Sequence, residues 1–344
     1  MKDSGAPAPA KRCDILVVGP AWVGDMVMTQ ALLQRLRERW PQAAIDVIAP
    51  GWSLPLLQRM SEVREGIELA VAHGEFGFSK RYALGRSLRG RRYARAIVLP
   101  GSWKSALVPF FADIPVRVGY RRELRYGVLN DLRPLDRKLF PTTVQQFCAL
   151  AEDATARQFP PVAMPLLTVD PARAEALLGT LGLDRLRPAV ALMPGAEYGP
   201  AKRWPAESFA ELARALAAQG KQVWVFGSAK ENELGQRIAD ETPFVYNLCG
   251  RTQLVDVVDL VGRCRVAVTN DSGLMHVAAA VGTPLVAIYG SSSPKMTPPL
   301  TTRAQIVHLG LSCSPCFERE CPLGHLNCLR QISVGSVLER VGLD

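Results

Sequence analysis

Long apolar runs are missing from this sequence of 344 residues. No segment reaches the roughly 18 uninterrupted apolar residues that a membrane-spanning helix needs. The apolar run Ile15–Met28 follows Lys11 and Arg12, as a signal-peptide core would, but Pro20, Asp25 and two glycines interrupt it. These absences argue against a membrane span and against export, so we expect a cytoplasmic protein.

The usual glycine fingerprints of nucleotide-binding loops are missing too. The loop Gly19–Asp25 follows the first predicted strand, yet it lacks both the G-x-G-x-x-G glycines and the Lys-Ser/Thr of a Walker motif. A nucleotide-binding dehydrogenase is therefore disfavoured. Asp25 begins a helix, where it is either a carboxylate stabilised by the helix dipole or a base that accepts a proton from an attacking hydroxyl. Spacing alone leaves both open.

What is present is an ordinary globular composition with an uneven charge. Apolar residues make up 48% and charged residues 21%, and the chain is long enough for two lobes. The net charge is +9, but Lys80 to Lys138 holds fifteen Lys/Arg against four Asp/Glu, a local net of +11. This stretch is either a solvated basic face or a surface for nucleic acid, an anionic membrane or a phosphorylated substrate. No helix-turn-helix, zinc-finger or RNA-recognition signature accompanies it, so we expect no nucleic acid.

Short apolar runs alternate with amphipathic stretches, the pattern of βαβ units and parallel sheets. The prolines at 160, 161 and 165 mark a linker. We therefore predict an α/β fold of two Rossmann-like, doubly wound lobes facing a cleft. The predicted parts are a disordered lead 1–12, an N-terminal lobe 13–160, a C-terminal lobe 161–330, and a C-terminal helix 331–344 that could pack back on the N-terminal lobe.

The segment Thr269–His276 resembles a phosphate-binding turn. A predicted strand gives way to Asn270, Asp271, Ser272 and Gly273, where Ser272 could cap a helix and Gly273 lets a ligand approach the backbone. A helix N-terminus beyond the carboxyl end of a strand attracts phosphate, and His276 follows one turn later. The alternative is a structural cap with an interior histidine.

The loop Pro194–Pro205 ends in Lys202 and Arg203, directly before a predicted helix. Paired cations at this edge of a sheet suit a diphosphate whose negative charge grows as it leaves. The alternative is surface charge flanking a buried Trp204.

A fourth feature is the cysteine-rich loop Cys313–Cys328, in which Cys313, Cys316, Cys321 and Cys328 are candidate metal ligands around His325. Clustered soft ligands in a cytosolic protein suggest zinc more than disulfides, but the later spacings match no standard zinc module. The alternative is a compact loop of packed thiols, with no metal.

Together these motifs resemble the lipopolysaccharide heptosyltransferases of glycosyltransferase family 9. The resemblance covers nearly the whole chain from Asp14, through four motifs in the family's order: GPAWVGDMVMTQ, AKRWP, VTNDSGLMHVAAAVGTP and CSPCFERECPLGHLNCL. It implies a GT-B fold and an inverting transfer without a catalytic metal or cofactor. The N-terminal lobe would hold the lipid-linked acceptor and the C-terminal lobe would hold ADP-L-glycero-D-manno-heptose.

The resemblance also implies roles for residues. Asp25 would be the general base and Lys202 would act on the donor diphosphate, while Asn270, Asp271, Ser272, Gly273 and His276 would form the donor site with Arg203 beside them. The acceptor would be the first heptose of the lipopolysaccharide inner core, because the cysteine-rich tail favours type II over types I and III, which use other core acceptors. The basic stretch would then contact the phosphate-rich core and the anionic cytosolic face of the inner membrane.

Overall fold

A computed structural model of the protein describes residues 13–72, 74–156 and 158–342. It contains two six-stranded parallel sheets, one in each half of the chain, with strand orders β3-β2-β1-β4-β5-β6 and β12-β11-β10-β7-β8-β9. The predicted lead, residues 1–12, lies outside the described residues. The predicted α/β class with two doubly wound parallel sheets is confirmed.

The N-terminal sheet and its helices comprise β1 (Ile15–Val18), α1 (Val23–Arg39), β2 (Ile45–Ala49), α2 (Leu54–Leu57), β3 (Glu65–Glu68), α3 (Phe78–Leu88), β4 (Arg95–Val98), α4 (Leu107–Phe111), β5 (Val116–Tyr120), β6 (Asp131–Arg133) and α5 (Thr143–Ala149). The second half comprises α6 (Pro171–Leu181), β7 (Ala189–Met193), α7 (Ala206–Ala218), β8 (Gln222–Val225), α8 (Asn232–Ala239), β9 (Val245–Asn247), α9 (Leu254–Val261), β10 (Val266–Asn270), α10 (Gly273–Ala280), β11 (Leu285–Ile288), β12 (Ala304–Val307), α11 (Asn327–Arg330) and α12 (Val334–Val341).

The central strands of both sheets are buried along their whole length. Every residue of β1, β7 and β10 is buried, because helices cover both faces of each sheet. Helix α7 shows the matching pattern, with Phe209, Leu212 and Leu216 on one buried face. Pro205 directly precedes this helix and Gly220 follows its end with a positive φ of 77°.

The two lobes pack against each other through a continuous apolar core. Val258, Val277 and Ala280 of the second half belong to the same buried cluster as α1, β1 and β2. Polar contacts reinforce this interface: Arg59 pairs with the buried Asp259 at 2.5 Å, and the Thr168 N–H donates to the Arg59 carbonyl at 3.0 Å. The base of the cleft between the lobes is therefore closed by packed side chains.

Helix α12 packs on the C-terminal lobe. Val337 and Val341 join the buried cluster formed by α7, β7, β8 and β11. Packing back on the N-terminal lobe, which the sequence left open, is therefore wrong for this helix. The reason is its strongly one-sided apolar face, which covers the sheet of the lobe that immediately precedes it in the chain.

Candidate active site

The predicted site residues follow β1, β7 and β10, the strands at which the strand order of each parallel sheet reverses. In the N-terminal sheet, β1 lies between β2 and β4; in the C-terminal sheet, β7 lies beside β10. Ligands bind beyond the carboxyl ends of the strands at such switch points, because the outgoing loops separate there. The helix that follows β1 carries Asp25 in its first turn, the loop after β7 carries Lys202, and β10 runs into Asp271.

The N-termini of α1 and α10 meet across the lobe interface. A Cβ added to Gly273 would lie 3.2 Å from the Gly24 nitrogen, and one added to Gly24 would lie 2.7 Å from the His276 ring. Only residues without a side chain permit this approach. The positive ends of two helix dipoles thus lie close together, and this arrangement attracts an anion.

Three charged side chains gather at this point. The Lys202 ammonium donates to the Asp271 carboxylate at 2.6 Å, in an ion pair that is largely removed from solvent. Burial raises the pKa of Asp25 to about 6; the charge of Lys202 opposes this rise and that of Asp271 adds to it. A carboxylate with this pKa is mostly ionised at neutral pH, yet basic enough to accept a proton.

His276 is buried against the start of α1 and is only 4% exposed. Burial lowers its pKa to about 4; Asp271 opposes this change and Lys202 reinforces it. The imidazole is therefore neutral at physiological pH and adds no charge to the site.

Asn270 and Arg203, predicted as donor-binding residues, brace the loop that carries Lys202. The side-chain oxygen of Asn270 accepts from the backbone N–H of Trp204 at 3.0 Å, and its side-chain nitrogen donates to the Pro194 carbonyl at 2.6 Å. The Arg203 guanidinium donates to the Ala196 carbonyl at 3.0 and 3.1 Å. The contacts of both side chains thus fix the two ends of the loop, while contact of either with a nucleotide stays a prediction.

Ser272 occupies the N-cap position of α10, but its side chain makes no capping hydrogen bond. Its hydroxyl instead faces that of Thr269 at 3.5 Å. The N-terminal N–H groups of α10 are thus not satisfied by this side chain, in contrast to the expected cap.

Sequence reasoning missed the serines that follow β11. Ser291 and Ser292 are buried, and their hydroxyls have no hydrogen-bond partner among the described residues. The Ser291 N–H donates to the Ala201 carbonyl at 3.2 Å. Because Ala201 directly precedes Lys202 in the chain, Ser291 contacts the loop that carries Lys202. The run of three serines at 291–293, shortly after the apolar run that forms β11, was the available signal.

The four clustered cysteines line one small cavity of about 20 Å³ together with His325, Ala201 and Ser291. All eight cysteines are free thiols. Within the described ranges, no group of three or more His, Cys, Asp or Glu side chains is arranged to hold a metal ion. The cysteine-rich loop thus packs against the loop that carries Lys202.

The glycine contact at the lobe interface leads to a stability prediction. Gly24→Ala should lower the free energy of unfolding by about 1–3 kcal/mol, because the new methyl group would overlap the buried His276 ring. Gly335→Ala is the matched control: Gly335 is also the second residue of a helix, and a Cβ there meets nothing within 4 Å. Thermal melts of both variants test this. Equal melting temperatures for the two would contradict the packing described.

The chain is similar to known proteins over most of its length. The model of glycosyltransferase family 9 (heptosyltransferase) matches residues 81–327. Lipopolysaccharide heptosyltransferase 2 of Escherichia coli K12 is 47% identical over 337 residues, covering 95% of this chain and 97% of that protein. Lipooligosaccharide heptosyltransferase 2 of Haemophilus influenzae is 48% identical over 86% of this chain and 88% of its own length.

Among solved structures, the E. coli ADP-heptose LPS heptosyltransferase II superposes with a TM-score of 0.87 at 45% identity, covering 96% of this chain and 97% of that one. The GT-B architecture expected from the sequence motifs is therefore confirmed.

Proposed function

Given that this chain belongs to glycosyltransferase family 9, the heptosyltransferases, we propose that it transfers L-glycero-D-manno-heptose from ADP-heptose to the first heptose of the lipopolysaccharide inner core. Heptose transfer in lipopolysaccharide core biosynthesis follows from the family and from the high identity to heptosyltransferases 2. The strong full-length matches do not favour a type I or type III enzyme or a dehydrogenase. The donor isomer and the accepting sugar are the finer part of the proposal.

One observation carries the mechanism: Asp25 of one lobe faces the Lys202–Asp271 pair of the other. Asp25 accepts the proton of the acceptor hydroxyl while that oxygen attacks the anomeric carbon of the donor. The bond from this carbon to the diphosphate breaks in the same step, on the opposite face of the sugar, so the configuration inverts. Lys202 and the N-terminus of α10 stabilise the negative charge that develops on departing ADP.

This arrangement supports a donor site on the C-terminal lobe. Asp271 holds Lys202 in place, and Gly273 leaves the start of α10 open to a phosphate. Ser272, whose hydroxyl does no capping, is free to contact the same group. Because the protein itself supplies the positive charge, the proposed step needs no catalytic metal or cofactor.

Product analysis tests the proposed function. The purified protein should release ADP and add one heptose to a truncated lipopolysaccharide that ends at its first heptose. A lipid A acceptor that carries only Kdo is the control, and it should remain unmodified. Transfer to the control acceptor alone would assign the enzyme to type I instead.

We also propose that the N-terminal lobe docks on the anionic cytosolic face of the inner membrane. No helix in the described parts of the chain has both the length and the apolar character needed to cross a bilayer. Six rings form an aromatic surface on α3, α4 and the preceding loops: Phe76, Phe78, Tyr82, Trp103, Phe110 and Phe111. Four of them, at positions 76, 78, 82 and 110, are 39–49% exposed.

Free cations border this aromatic surface. Arg86 lies on α3, and Arg122 packs against Gly101 near Trp103; neither has an ion-pair partner in the described ranges. Aromatic rings enter the headgroup region of a bilayer, and nearby arginines attract anionic lipid. Both arginines and four of the six rings lie within the stretch of +11 net charge.

Vesicle binding tests this surface. The triple change Phe76→Ser, Phe78→Ser and Tyr82→Ser should weaken binding to phosphatidylglycerol-containing vesicles at least about tenfold, because burial of exposed aromatic area is lost. Leu186→Ser, which removes a 95% exposed side chain from the other lobe, should have no effect. Binding should also weaken as salt rises. Equal binding by the triple variant and the wild type, or salt-insensitive binding, would argue against this surface.

A further inference from the structure

The cysteine-rich loop is built onto the loop that carries Lys202. The Ala201 N–H donates to the Arg319 carbonyl at 3.0 Å, and the Phe317 N–H donates to the Ser291 carbonyl at 2.7 Å. Gly199 passes so close to this loop that an added Cβ would lie 2.4 Å from the Arg319 carbonyl oxygen. The backbone at Arg319 is therefore fixed relative to Lys202.

The Tyr198 ring lies near both the Arg319 side chain and the Lys202 side chain. The Tyr198 hydroxyl donates to the Phe317 carbonyl at 2.5 Å, which holds its ring against the cysteine-rich loop. The Lys202 ammonium lies 5.0 Å from the centre of this ring and the Arg319 guanidinium lies 5.2 Å from it. The two cations are thus no more than about 10 Å apart.

Arg319 has no carboxylate partner among the residues that the structure describes. It is exposed, and within the described ranges its guanidinium makes no hydrogen bond or ion pair, although Glu318 and Glu320 flank it in the chain. Lys202, by contrast, is neutralised by Asp271. Among the described residues, the Arg319 cation is therefore offset by its contact with the Tyr198 ring and by no carboxylate, which leaves it available to an anionic ligand.

We propose that Arg319 is a second cation for the diphosphate of the sugar nucleotide, supplied by the cysteine-rich loop. The inference rests on the donor site proposed above and adds to it a residue from a separate segment. A guanidinium binds phosphate oxygens through two parallel N–H groups, so it fixes the orientation of the diphosphate as well as its charge. The cysteine-rich loop then has a function of its own: it carries one cation and braces the loop of the other.

Titration calorimetry of the full chain with ADP and with adenosine tests the proposal. Arg319→Gln keeps the backbone carbonyl that binds Ala201 but removes the cation, so ADP should bind about tenfold more weakly. Adenosine affinity should not change, since adenosine carries no phosphate. Arg214→Gln is the matched control: Arg214 is exposed on α7 and has no partner in the described ranges, and its loss should leave both affinities unchanged.

Two further variants keep the test decisive if glutamine disturbs the loop. Arg319→Lys should bind ADP more tightly than Arg319→Glu, because only the first preserves a positive charge. Equal ADP affinity for these two variants, or wild-type ADP affinity for Arg319→Gln, would overturn the inference. Failure of the wild type to bind ADP is a different result, and it would overturn the proposed donor site itself.

Discussion

Replacing Asp25 by asparagine is expected to reduce turnover by roughly two to four orders of magnitude, the range usual for loss of a general base. The amide has nearly the shape of the carboxylate, so the contact between α1 and α10 should survive. ADP affinity should change little, because the base acts on the acceptor hydroxyl and not on the nucleotide. Steady-state kinetics and ADP titration of one preparation separate these two effects.

The pH profile provides the control for this variant. With a pKa of about 6, Asp25 is protonated below that pH and cannot accept a proton, so kcat/KM should fall as pH decreases through 6. The asparagine variant should lack this acidic limb in its residual activity. An unchanged limb, or near-normal turnover at pH 8, would show that another group is the base.

Lys202→Gln should reduce turnover by about two to three orders of magnitude, the loss typical when one preorganised charge at a transition state is removed. It should also shift the acidic limb, because the charge of Lys202 holds the pKa of Asp25 down. Without that charge the pKa of Asp25 rises, and the limb moves to higher pH.

Asp271→Asn is the matched variant for this prediction, since it breaks the same ion pair from the other side. The charge of Asp271 raises the pKa of Asp25, so its removal should move the limb to lower pH. Opposite shifts for the two variants can come only from charge, because loss of the pair itself is common to both. Shifts in the same direction would contradict the proposed grouping of the three side chains.

The central strands could be predicted because they read as continuous apolar runs. Ala189–Met193 and Leu285–Ile288 consist of apolar residues alone, so their sequences predict buried strands. The edge strands give no such signal. Glu65–Glu68 has a single buried residue and Asp131–Arg133 is mostly charged, so neither shows an apolar run.

The start of α1 was placed two residues late. The sequence predicted that Asp25 begins the helix, with the preceding glycines in a loop, whereas α1 begins at Val23. No capping side chain marks this start, because the N-cap residue is Trp22. The error mattered for the site: Gly24 is a helical residue in contact with the other lobe, and not a loop glycine that faces a ligand.

Single motifs predicted the site residues but not their partners. Lys202 and Asp271 were both candidates, yet their pairing joins residues 69 positions apart and depends on β7 lying beside β10. The contacts of Asn270 with Trp204 and Pro194 depend on the same neighbourhood. A motif shows which chemistry a turn offers, whereas the packing of the lobes decides what each side chain contacts.

The contact between Gly24 and Gly273 also constrains how such sequences can diverge. The two positions are far apart in the chain, yet a side chain at either would overlap the opposing helix: at Gly24 it would meet the His276 ring at 2.7 Å, and at Gly273 it would meet the Val23 Cβ at 2.9 Å. A methyl group gained at one glycine therefore requires the opposing helix to shift, or His276 or Val23 to change with it. Among homologues that close their lobes as this one does, we expect both glycines to be retained.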